Sequence, residues 1–204
     1  MLRVVLIVSL LSLVLGGAGC DRRGRGDGRD PDTLPPPPKT TSTTAPSFDV
    51  PAVIDAAYVG RVMQALDHVY GDGVRHLAVS RSVDEEFLKH LLAIYTDRFF
   101  QLAQDAWVKE SARGFPTLAQ SPGDPLTRIQ SIVRNDRDCV VAQVTHDFSA
   151  LRTSPPAPTP QRYIALISKP SNRDPDGLNP TPWAMTYDGY PQSDTVPEDP
   201  CRPV

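Results

Sequence analysis

The spacing of apolar residues changes several times along the chain. Behind Met1, Leu2 and Arg3 stands an unbroken apolar run, VVLIVSLLSLVL at 4–15, after which apolar side chains almost vanish until Phe48. From Asp49 onward the spacing becomes helical. Val59, Val62, Met63, Leu66, Val69 and Tyr70 recur at intervals of three and four, predicting an amphipathic helix that starts near DVPA with Asp49 as N-cap. The GDG at 71–73 is expected to stop it, and VRHLAVS follows as a short helical or irregular piece. A second helix is predicted from SVDE, where Ser82 and Glu85 have capping-box spacing. Its broad apolar face includes Phe87, Leu91, Tyr95, Phe99, Leu102 and Trp107, over about 25 residues, with Gly114 as C-cap and Pro116 preventing continuation.

The period then shortens to two. LTRIQSIVRN (126–135) and CVVAQVTHDFSAL (139–151) flank NDRD as a predicted hairpin, and QRYIALISK (161–169) and WAMTYDG (183–189) supply two more strands. Val140, Ala142, Val144, His146 and Phe148 fall on one side of their strand, and Val141, Gln143 and Thr145 on the other. Helices followed by about four strands predict an α+β domain, with helices covering one face of a curved antiparallel sheet.

The first run is too short to span roughly 30 Å of hydrocarbon comfortably and suits the apolar region of an export signal. With GGAG ahead of Cys20, it resembles a bacterial lipoprotein signal, although Gly17 stands where an aliphatic residue is commoner and Arg3 is the only early cation. The resemblance implies cleavage after residue 19, acylation of Cys20 and a protein held to membrane lipid on the extracytoplasmic side. Ordinary secretion and an uncleaved anchor are the alternatives. Residues 20–48 then read as a tether of Pro, Gly, Thr and charged residues, and 49–204 as a single domain with a Pro-rich tail. With Cys20 lipidated, Cys139 and Cys201 remain as a pair in an oxidising compartment. Their bond would close a loop worth roughly 4 kcal/mol, the alternative being two free thiols. A formal charge of −3 gives no support to nucleic-acid binding.

The order of two helices, a hairpin and two further strands, over about residues 51 to 190, resembles the NTF2-like (SnoaL-like) cone fold, also found as the outer domain of actinobacterial lipoproteins. The resemblance implies a pocket between a concave sheet and the helices, and pairing of such domains into a homodimer. In enzymes of the family an Asp and a His in that pocket move protons.

Candidate polar groups are Asp97, His146, Asp147, Tyr163, Tyr187 and Asp188. His146 and Asp147 are strand neighbours facing opposite ways and cannot pair with each other. A satisfied core histidine is the plainer reading of His146. Trp107, Tyr163, Trp183 and Tyr187 either fill the core or, with His146, line an apolar cavity. No nucleophile elbow, HExxH or phosphate cradle is present, and DPDG at 174–177 lacks calcium-loop spacing, so no metal or cofactor is implied. These readings lead to a non-enzymatic module for an envelope protein partner, ahead of a carrier of a small apolar ligand and of a SnoaL-like dehydratase or isomerase.

Overall fold

The computed structural model describes residues 47–153, 161–189 and 199–202, all within the compact unit Ala45–Val204. Cys20, the apolar run at 4–15 and the tether up to residue 46 lie outside the described residues. Among the described residues no helix is long and apolar enough to cross a membrane.

Helix α1 spans Ala56–Ser80. Its N-cap is Asp55 rather than Asp49, the carboxylate accepting from the Tyr58 N–H at 2.7 Å. The GDG does not stop it. A Cβ on Gly71 would lie 2.1 Å from Asp124 Oδ1, and one on Gly73 only 2.8 Å from the His90 Cβ. The two glycines are sites of close approach, where neighbours occupy the space a side chain would need, and the surrounding packing overrides their poor helix propensity.

The long second helix expected from Ser82 is two helices, α2 (Glu85–Ile94) and α3 (Asp97–Ser111). Asp84, not a Ser82/Glu85 box, caps α2 by accepting from the Phe87 N–H at 3.0 Å. Between the helices Tyr95 and Thr96 turn extended. The Thr96 N–H donates to the Met185 carbonyl at 3.0 Å, so a sheet edge takes the backbone out of the helix. Gly114, with φ of 75°, follows the end of α3.

Strands β1 (Leu126–Asp136), β2 (Cys139–Asp147), β3 (Arg162–Ser168) and β4 (Trp183–Gly189) form an antiparallel meander in sequence order. The predicted hairpin joins β1 to β2. The sheet is open, which corrects the cone implied by the NTF2-like resemblance. Closure requires the first and last strands to meet through a consistent stagger. Here β1 and β4 are opposite edges, and β4 meets Tyr95 and Thr96 instead of another strand.

The side chains form two apolar clusters on the helical side. One joins α1 to the sheet through Val62, Met63, Ala142, Ile164 and Trp183; the other gathers Leu77, Phe87, Leu91, Phe115 and Leu151. Tyr70 and Tyr95 pack against both. A third, smaller cluster holds Cys139, Val141 and Ala165 beneath Tyr163, Tyr187 and Cys201. Cys139 and Cys201 are disulfide-bonded, with Cα atoms 5.8 Å apart.

Candidate functional site

The two main clusters do not fill the space between them. A pocket of about 280 Å³ opens there, walled by Leu66, Tyr70, Ile94, Tyr95, Phe99, Ala103 and Trp107 and reaching the exposed Leu102 and Ala106 of α3. It sits over the end of the sheet where β1 and β3 begin and β2 and β4 finish.

Register assembles a polar floor. Thr127 of β1 lies opposite His146 of β2, while Arg162 of β3 pairs with Val144 and Asp188 of β4 with Ile164. One polar side chain from each strand thus appears at the same end of the sheet, on the face that Val144 and Ile164 bury. Asp67 comes down from α1. Its Oδ2 accepts from the Thr127 N–H at 2.7 Å and its Oδ1 from the Thr127 hydroxyl at 2.9 Å. The same hydroxyl oxygen is 2.8 Å from His146 Nδ1. Across the ring, His146 Nε2 lies 3.5 Å from Asp188 Oδ1, which accepts from Arg162 Nε at 2.5 Å. Phe148 stacks against the imidazole, ring centres 5.4 Å apart.

Burial pushes the Asp67 carboxyl up to about 6. The two hydrogen bonds from Thr127 oppose that rise, and Asp124 adds to it. Burial also pushes the Tyr70 hydroxyl up to about 12 and holds that of Tyr95 well above its ordinary value. Both tyrosines therefore remain neutral donors in the wall.

No protein-family model, curated protein or solved structure matches the chain.

Of the candidate site residues singled out in the sequence, Trp107, His146 and Asp188 line the pocket. Trp183 is fully buried in the main core, its indole N–H donating to the Tyr58 hydroxyl at 2.9 Å. Tyr163 and Tyr187 pack on the opposite face of the sheet, in the disulfide cluster. Asp97 is exposed and paired with Arg173. Asp147 accepts from the Ser149 N–H at 2.9 Å, and that neighbour's hydrogen bonds hold its carboxyl below the usual range. Sequence reasoning missed Asp67, Thr127 and Arg162. A signal existed for Asp67, which lies four residues after Met63 and directly after Leu66 on the apolar stripe of the first helix, where an acid has no reason to sit unless it is bonded.

Proposed function

We propose that this protein is a small-molecule-binding module of the cell envelope, held to the outer side of a membrane through acylated Cys20. Its ligand is a compact apolar molecule with one polar end, seated between α1, α3 and the sheet. The observation that carries this reading is the pairing of an aromatic wall with a floor of buried polar groups, one of which, His146 Nε2, has no hydrogen-bond partner among the described residues. A buried nitrogen left in that state needs a reason, and a ligand group supplies one. A protein-partner scaffold would leave the polar floor without a use.

Native mass spectrometry of the protein from its own envelope, followed by denaturing extraction, tests the reading. A small-molecule adduct is expected on the natural chain and absent from Ala103→Trp, in which the indole occupies the pocket. An empty natural chain would overturn it. Replacement of Cys20 by Ala is expected to release the protein from the membrane fraction, and unchanged retention would remove the anchor.

A second reading follows from Asp67. A carboxyl pushed up to about 6 and linked through Thr127 to Nδ1 of an imidazole whose far nitrogen, Nε2, is unpartnered among the described residues suits proton transfer to and from a bound molecule. Turnover, as against simple retention of the extracted ligand, distinguishes the two.

A further inference from the structure

Thr127 has one hydroxyl hydrogen and two claimants for it, Asp67 Oδ1 at 2.9 Å and His146 Nδ1 at 2.8 Å. Its backbone N–H already holds Asp67 Oδ2, so both carboxylate oxygens face the threonine. A carboxylate draws a donor more strongly than a neutral imidazole does, and the hydroxyl hydrogen goes to Asp67. Thr127 Oγ1 then has only lone pairs left for His146. The ring hydrogen of a neutral imidazole must therefore sit on Nδ1, leaving a lone pair on Nε2. That nitrogen is buried, has no hydrogen-bond partner among the described residues and faces Asp188 Oδ1 across 3.5 Å. Two acceptors thus face each other across one gap on the pocket floor.

We propose that the pocket selects ligands whose polar end is a hydrogen-bond donor, an alcohol in preference to a ketone or aldehyde, and that Thr127 and Asp67 are the positioning residues that set this choice by fixing the His146 tautomer. This specificity rests on the small-molecule reading of the pocket. A ligand O–H donates to Nε2 and lies close enough to share its hydrogen with Asp188. A carbonyl in the same place brings lone pairs against lone pairs.

The polarity of the floor also depends on protons. With a proton added to the Asp67–Thr127–His146 chain, the carboxyl O–H can donate to Thr127 Oγ1 and the threonine hydroxyl to Nδ1. Nε2 then carries hydrogen and becomes a donor. Burial already favours the protonated form of Asp67, so mildly acidic solution suffices. The charged and titratable groups facing the chain are Asp124 ahead of β1, Arg162 on β3, Asp188 on β4, Tyr70 on α1 and Tyr95 at the end of α2. Both tyrosines stay neutral throughout this range.

Menthol and menthone share a carbon skeleton and differ at this one group. Their binding to the Ala45–Val204 unit, which contains every described helix, strand and core cluster and the disulfide, is measured by calorimetry at pH 8 and pH 5. Menthol is expected to bind about tenfold more tightly at pH 8, the ordinary worth of one well-made hydrogen bond, with the ratio shrinking at pH 5. Thr127→Val is expected to bring the two ligands to near parity, and Thr127→Ser, which keeps the hydroxyl, to retain the preference. Equal affinities at pH 8, a preference for menthone, or a menthol preference that survives Thr127→Val would overturn the proposal while leaving the pocket as a binding site. If neither compound bound at all, the small-molecule reading would be overturned with it.

Discussion

α1 and α3 both carry apolar faces, and the structure treats them differently. α1 buries eleven of its residues, lying on the sheet and against α2, whereas α3 buries none. Phe99, Phe100 and Trp107 of α3 pack on the core yet remain only partly covered, and Phe99 and Trp107 stand in the pocket wall. An apolar helix face thus records that something apolar must cover it, but not whether the cover is protein or ligand. For α1 the cover is the domain's own core; for α3 part of it is missing, and the empty space is the pocket.

The sharpest way to break this comparison is to remove a large side chain from each helix. Met63 is fully buried on α1, and Met63→Ala is expected to cost about 2–5 kcal/mol in urea unfolding. Phe99→Ala on α3 leaves an existing pocket larger and removes an edge-to-face contact with Tyr95, so about 1–2 kcal/mol is expected. Equal losses would mean that α3 is as firmly packed as α1.

The polar residue that α1 places under α3 gives a pH signature. The Asp67 carboxyl is raised from 3.8 to about 6, so the folded state binds a proton that the unfolded state releases earlier. Its contribution is fully present below about pH 3.8, is lost as pH rises to about 6, and changes no further above that. The fall is on the order of 3 kcal/mol. Asp124 and Asp174 act in the opposite sense. Although burial raises both, hydrogen bonds and charges from His68 and Arg75 for Asp124, and from Lys169 and two backbone N–H groups for Asp174, win and hold them below the usual range. Their stabilisation is present above the ordinary carboxyl value and is lost as pH falls through the depressed ones. Asp67→Asn is expected to flatten the stability profile between pH 4 and 6 while leaving the acid limb in place. A profile unchanged by that substitution would remove Asp67 as its source.

Gly73 tests whether α1 owes its unbroken course to close packing. Alanine favours a helix by about 1 kcal/mol over glycine, but its Cβ would sit 2.8 Å from the His90 Cβ. Gly73→Ala is therefore expected to destabilise by about 1–3 kcal/mol, by thermal or urea unfolding. A gain in stability would mean that α2 can move away freely.

These features mark where the sequence was readable and where it was not. Strand positions followed from period two because polar residues alternate with apolar ones in β1 and the later part of β2, although Val141 and Ala165 are buried on the second face as well, and the hairpin between Asp136 and Cys139 fell where the alternation paused. Helix limits were harder. Glycine at 71 and 73 signals a stop when only local conformational freedom is considered, and its use here depends on Asp124 and His90, distant in sequence. The break at Tyr95 and Thr96 likewise depends on Met185, about ninety residues away. The site was half legible. His146 and Trp107 stood out by residue type, whereas Thr127 gains its meaning only from lying opposite His146 across the hairpin. Closure of the sheet was beyond the pattern of elements, since the same order of helices and strands serves an open meander and a cone.

The smallest expected effect on stability separates the two helices most directly in function. Val79 on α1 is 85% exposed and Leu102 on α3 56% exposed, so Val79→Lys and Leu102→Lys should each change unfolding free energy by less than about 0.5 kcal/mol. Their surroundings differ. Leu102 stands at the pocket, and Val79 is not among the residues lining it. A lysine at 102 places a hydrated ammonium where the proposed apolar ligand would have to pass or rest, so the adduct expected in native mass spectrometry should diminish at unchanged melting temperature. The lysine at 79 should leave the adduct as it was. If both substitutions removed it equally, the ligand would be held by the outer surface of the helices rather than by the space beneath α3.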